Sequence, residues 1–161
     1  MTGARLDLAS LVPASDLAGD DDEDRTLRLG MLKEARDYLS SKKWCKKIAA
    51  DYFGFGVGGV IALFLFQIDN AASPSDEYLW VVVGDIPSAY FVVDASQTPI
   101  AAISTCVSLM QEWVDAAVEG RDAKDVYPVA AERTVENAEL LASRLEFIRR
   151  EVLRGFERAR S

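Results

Sequence analysis

The chain has 161 residues, 50% hydrophobic and 27% charged, with a net charge of −8, which excludes wholesale disorder and is long enough for a core without disulfide staples. It contains no histidine, which removes Ser-His-Asp and Cys-His catalysis and imidazole metal ligands. With 18 basic against 26 acidic residues, nucleic acid is not an expected partner, because an acidic surface releases no counterions from a phosphate backbone.

The distribution of charge says more than the sum. From Ile48 to Gly120 there is no lysine or arginine, while Asp51, Asp69, Asp76, Glu77, Asp85, Asp94, Glu112, Asp115 and Glu119 all fall in that stretch. A field of this sign suits a basic partner and disfavours a phosphate site. Cys45 and Cys106 form neither a CxxC pair nor a disulfide framework, and the N-terminus shows no signal-peptide pattern. The expectation is a cytoplasmic protein with reduced thiols, no metal and no cofactor.

Residues 1–24 mix small and polar types with Leu6, Leu8, Leu11 and Leu17 and end in the run from Asp20 to Asp24. They read as an acidic flexible arm, whose acids also suit the N-terminus of a helix starting near Arg25. From Arg25 to Ala50 the spacing is helical: Leu32, Ala35 and Leu39 form a stripe, and Trp44 and Ile48 continue it past a break at Ser40-Ser41. Lys42, Lys43, Lys46 and Lys47 then make a basic helix flank, whose functional alternative is a contact for an acidic protein or an internal clasp to the arm at Asp20 to Asp24.

Tyr52 to Ile68 carries no charge. A membrane anchor over 52–68 is one reading, supported by the lysines before it, but Gly54, Gly56, Gly58 and Gly59 weaken a spanning helix. The preferred reading is a central strand over Val60–Ile68 covered on both faces. The same glycines spell GxGxxG, but a dinucleotide site needs a strand before them and a helix after, and the pattern here reads as a helix followed by a strand. A further strand through the glycines around Phe55 remains open.

Tyr78–Val83 and Ala89–Val93 flank the turn Gly84-Asp85-Ile86-Pro87-Ser88 and read as a hairpin. Thr98-Pro99 starts a helix that Gly120 stops, with one stripe through Ile100, Ile103, Val107, Met110, Val114 and Val118 and another through Ala102, Cys106, Leu109 and Trp113. A last amphipathic helix runs from Thr134 to about Phe156, with Ala138, Leu141, Leu145, Ile148, Val152 and Phe156 in register, and is expected to pack on the sheet or on a second subunit as a homodimer. The fold expected is α+β: one domain over 25–158, with an antiparallel meander of three or four strands, an N-terminal helix and two long C-terminal helices.

A meander sorts the carboxylates by strand end. Asp69, Asp76, Glu77 and Asp94 collect at one rim, and Asp85 sits in the opposite turn, roughly 15 to 18 Å away at about 3.3 Å per residue. Tyr78, Trp80, Tyr90 and Trp113 are the aromatics that could line a groove beside them, or simply fill the core. Ser104, Thr105 and Cys106 have no base beside them in sequence, so no catalytic residue is nominated.

The motifs Trp44-Cys45-Lys46-Lys47, Gly58–Phe66 and Trp80–Tyr90 resemble those of a family of small uncharacterised bacterial proteins with no established activity, over roughly Arg36 to Arg150. The resemblance implies a bacterial origin and transfers no site residue. Size and acidity are also similar to those of toxin-neutralising immunity proteins. The function expected is a non-enzymatic protein-interaction module, adaptor-like or immunity-protein-like, binding a basic protein through Asp69, Asp76, Glu77, Asp94 and Asp85 with Tyr78 and Tyr90. The alternative is a small-molecule or divalent-metal-binding enzyme that uses the strand-end carboxylates.

Overall fold

The computed structural model describes residues 11–17, 21–57, 60–72, 77–93, 98–122, 126, 129 and 132–153. The chain divides into two compact units, Met1–Ala102 and Ile103–Ser161. It is α+β, with one five-stranded antiparallel sheet, one N-terminal helix and two C-terminal helices.

In the first unit, β1 (Val12–Pro13), β2 (Cys45–Val57), β3 (Ile61–Asn70), β4 (Tyr78–Gly84) and β5 (Ala89–Val92) lie in the sheet in chain order. The expected meander is therefore present as β3-β4-β5. The strand count is five rather than three or four, because β1 and β2 join the same sheet.

Helix α1 (Asp22–Ser40) precedes β2. Asp21 caps it by accepting a hydrogen bond from the Asp24 amide at 2.8 Å, and Asp22, Glu23 and Asp24 fill its first turn, where the positive end of the helix dipole favours them. Of the acids assigned to an arm, Asp21 to Asp24 are thus cap and first turn, and Asp20 lies outside the described residues. Residues 11–17, assigned to the same arm, place Val12 and Pro13 opposite Phe53 and Tyr52 of β2, and bury Leu11, Ala14 and Leu17. Leu6 and Leu8 lie outside the described residues.

The helix expected through Ala50 stops at Ser40, and Cys45–Val57 is strand. Three register shifts interrupt the β2–β3 ladder, between Cys45 and Lys47, Ile48 and Ala50, and Phe53 and Phe55. Each inserts one residue and moves the next inward position along by one. The β2 residues facing the α1 side are consequently Cys45, Ile48, Asp51, Phe53 and Gly56, opposite Asn70, Ile68, Phe66, Phe64 and Ala62. That spacing imitates a helical stripe and explains why the sequence pattern reads as helix.

Under α1 the core gathers Met31, Leu32, Ala35 and Leu39 of the helix with Phe64, Phe66 and Ile68 of β3 and Leu79, Val81 and Val83 of β4. On the sheet's other face Leu63, Leu65, Trp80 and Val82 are also fully buried, so β3 and β4 read as near-continuous apolar runs, as expected for a strand covered on both sides. Truncating Phe64 or Phe66 to alanine would cost about 3–5 kcal/mol. Two ion contacts lock α1 along β2. The Arg28 guanidinium lies 4.9 Å from the centroid of the Phe53 ring, and Arg36 Nε donates to Asp51 Oδ2 at 2.6 Å.

Within 52–68 the described residues belong to the end of β2 and most of β3, two antiparallel strands rather than a spanning helix. Among the described residues no helix is long and apolar enough to cross a membrane. Strands stand on both sides of the glycines, so the helix required by a dinucleotide fingerprint is missing there. Gly54 has a packing reason instead: a Cβ would stand 3.2 Å from the Leu63 carbonyl oxygen and 3.4 Å from the Trp80 ring.

Helix α2 (Pro99–Glu119) starts as expected, with Thr98 Oγ1 accepting from the Ala101 amide at 3.2 Å, and stops at Gly120 with φ +70°. In the second unit, α3 (Val135–Phe147) is capped by Thr134 and continues as a π-helical end, Ile148–Leu153. Its expected stripe of Ala138, Leu141, Leu145, Ile148 and Val152 is buried. Arg149 donates to Gln111 Oε1 at 2.7 Å, tying the two helices. Phe156 lies outside the described residues.

Candidate interaction surface at one end of the sheet

The start of β2, the end of β3 and the start of β4 meet at one end of the sheet. Ile68 and Glu77 are joined there by an amide-to-carbonyl hydrogen bond of 2.8 Å, and Ala71 donates to the Trp44 carbonyl at 2.8 Å. Asn70, the buried polar residue at this end, accepts from the Ala72 amide at 3.0 Å and so shapes the turn out of β3.

On the face away from α1 this end presents Asp69, exposed, and Tyr78, half-buried, and the exposed Glu77 just before β4 reaches that face through its bond to Gln67. Gln67 lies opposite Tyr78 in the ladder and its Nε2 donates to Glu77 Oε2 at 2.9 Å, holding that carboxylate over the strand ends. Burial raises the Tyr78 phenol, and the neighbouring charge of Glu77 and the Tyr52 phenol push it the same way. Asp69 and Glu77 are therefore brought to one rim, as the meander requires. Asp76 and Asp94 lie outside the described residues. Asp85 is at the far end of β4, exposed, with its amide donating to the Val60 carbonyl at 2.7 Å.

Two corrections follow from strand parity. Tyr90 lies opposite Val81 and so on the α1 face, whereas Tyr78 lies opposite Gln67 on the other face; the sheet separates them. Trp80 and Trp113 are buried and fill core volume, the other reading given for these aromatics, so neither lines an open groove. The lysines also change place. Lys46 and Lys47 are on β2, and Lys47 lies opposite Asp69, so the rim is mixed in charge where the sequence pattern suggests acid alone. A clasp between these lysines and Asp21–Asp24 is ruled out by α1 itself, which sets its two ends about 27 Å apart at 1.5 Å per residue.

The α1 face of the same end holds a group that sequence reasoning missed. Tyr38 in the last turn of α1, Trp44 in the turn that follows and Tyr90 on β5 stand together. Ring centroids are 5.1 Å apart for Trp44 and Tyr90 and 6.3 Å for Tyr38 and Tyr90, tilted by 54° and 50°. The Lys42 ammonium sits over the Tyr38 ring at 4.6 Å and over Tyr90 at 5.9 Å. Burial, with Tyr90 adding to it, pushes the Tyr38 phenol up to about 12. The break at Ser40-Ser41 was the available signal that Lys42 and Trp44 leave the helix.

Neither thiol is activated. Cys106 is enclosed beside Met110, with its Sγ 3.9 Å from Met110 Sδ, and burial pushes it up to about 12. Cys45 is raised by burial and by the nearby Asp69 charge. Among the described residues no group of histidine, cysteine and carboxylate side chains could hold a metal ion. Elsewhere in the first unit, a shallow concavity of about 350 Å³ lies between α1 and the end of β4, lined by Thr26, Leu27, Gly30, Met31, Glu34 and Gly84. No protein-family model, no curated protein and no solved structure matches the chain.

Proposed function

We propose that the chain is a non-enzymatic protein-interaction module, adaptor-like or immunity-protein-like, that docks a basic partner through the sheet end carrying Asp69, Glu77 and Tyr78. The observation that supports this reading is the juxtaposition of two exposed carboxylates, on β3 and just before β4, beside a half-buried tyrosine. An aromatic anchor rimmed by charge is the arrangement that protein interfaces use, the ring supplying buried area and the charges orienting the encounter. The raised thiols of Cys45 and Cys106 fit a non-catalytic role. Both are free, which suits a reducing cytoplasm.

Lys47 opposite Asp69 sharpens the reading. A partner that meets this end encounters acid on β3 and just before β4 and base on β2, so it needs a basic strip with an acidic margin. The test is affinity capture by the wild-type chain and by the Asp69→Asn, Glu77→Gln double variant over a salt series. A partner held less tightly by the variant, with a flatter salt dependence, supports the module. Equal capture and equal salt slope would overturn it.

A further inference from the structure

We propose that Tyr38, Trp44 and Tyr90 form a receptor for a methylated ammonium group, and that Lys42 occupies it in the free chain as a tethered stand-in. The inference is independent of Asp69 and Glu77, which lie on the other face of the sheet. It begins from the fact that a cation is already seated there: the Lys42 ammonium lies over two ring faces, both within the roughly 6 Å at which the ring quadrupole attracts charge.

The walls come from three separate elements, the last turn of α1, the turn after it and β5, and all three rings are half-buried. Half-buried rings offer an ammonium apolar face contacts while part of each stays within reach of solvent. Burial of the Tyr38 phenol, which raises it, is in keeping with an apolar wall.

The chemistry of the ligand follows from what surrounds the cation. Among the described residues no carboxylate pairs with Lys42, whereas on α1 Lys33 pairs with Asp37, and Arg36 pairs with Asp51 of β2. A bare ammonium is strongly hydrated and wants acceptors for its three protons. A methylated ammonium has fewer protons to satisfy, or none, sheds water more easily and presents methyl groups to the rings. The site therefore suits the alkylated cation better than the lysine that fills it.

Displacement is structurally simple. The Lys42 backbone is held by its amide donating to the Leu39 carbonyl at 3.0 Å and by its carbonyl accepting from the Cys45 amide at 3.1 Å. Only the side chain has to swing into solvent, and no backbone hydrogen bond breaks. The tether gives Lys42 a high effective concentration, so it competes with any incoming cation until it is removed or neutralised.

Calorimetric titration with choline, and with its uncharged isostere 3,3-dimethylbutanol, tests the proposal on the wild-type chain and on Lys42→Ala and Lys42→Gln. Both variants should bind choline at least about tenfold tighter than wild type and should not bind the isostere. Tyr90→Leu added to Lys42→Ala should abolish binding while the circular dichroism spectrum stays native. A second arm compares choline with a short peptide carrying trimethyllysine. The tighter of the two identifies the source as a free metabolite or a modified protein, and either result supports the receptor. Choline binding no tighter in both natively folded Lys42 variants than in wild type, or equal binding of choline and the isostere, overturns it.

Discussion

Lys47 of β2 and Asp69 of β3 are direct partners across the antiparallel ladder, both exposed, at the rim assigned to partner binding. Opposite charges at such positions stabilise a sheet modestly and like charges destabilise it. Asp69→Lys should therefore lower the unfolding free energy by about 0.5 kcal/mol, and less in high salt. Urea denaturation at low and high salt measures it. An Asp69→Lys variant as stable as wild type at low salt would mean that the pair does not interact.

Three glycines should respond to alanine in a fixed order. Gly84 has φ +135°, and a Cβ there would come within 2.3 Å of the Val60 carbonyl oxygen, so Gly84→Ala should cost about 3 kcal/mol or more. Gly120 has φ +70° in open space, so its alanine should cost about 1 kcal/mol. Gly30 is helical with nothing near its missing Cβ, and Gly30→Ala should stabilise by about 1 kcal/mol. Chemical denaturation midpoints for the three variants should fall in that order.

The two cysteines should differ in reactivity. Cys106 is buried with its thiol pushed up to about 12, while Cys45 is only half-buried. With iodoacetamide at about pH 8, native protein should be alkylated slowly at Cys45 and not at Cys106, and both should react in denaturant. Peptide mass mapping of the alkylated sites reads the result directly.

Alkaline stability should depend on Tyr38. Its phenol is raised from 10.0 to about 12, so the unfolded chain releases the proton first. The associated stabilisation is complete below about pH 10 and is lost as pH rises towards 12. Cys106, raised from 9.0, acts in the same direction from a lower starting pH. Tyr38→Phe should keep the ring under Lys42 and flatten the fall in stability between pH 10 and 12, as followed by denaturant titration across that range.

Much of the fold could be read from local pattern. β3, β4 and β5 were legible because their apolar runs end at turn residues such as Gly84 and Pro87. The limits of α2 were legible because Thr98-Pro99 and Gly120 are position-specific signals for a helix start and stop. β2 was not, because its three bulges stretch the spacing of inward residues from two towards three. β1 was not, because two residues, Val12 and Pro13, carry no period at all.

Of the proposed binding residues, the grouping of Asp69 with Glu77 and the separation of Asp85 followed from strand direction alone. The opposition of Tyr78 and Tyr90 across the sheet and the pairing of Lys47 with Asp69 did not, because each depends on ladder register, which a one-residue bulge changes. The assembly of Tyr38, Lys42, Trp44 and Tyr90 lies further still from local pattern, since Tyr90 is 46 positions beyond Trp44. Periodicity and caps are properties of neighbouring residues, so the sequence determined the α+β class, the meander and the limits of α2 by itself. Register and long-range contact are settled only when α1 closes on the sheet, so the tertiary structure decided which charges oppose one another and which rings surround a lysine.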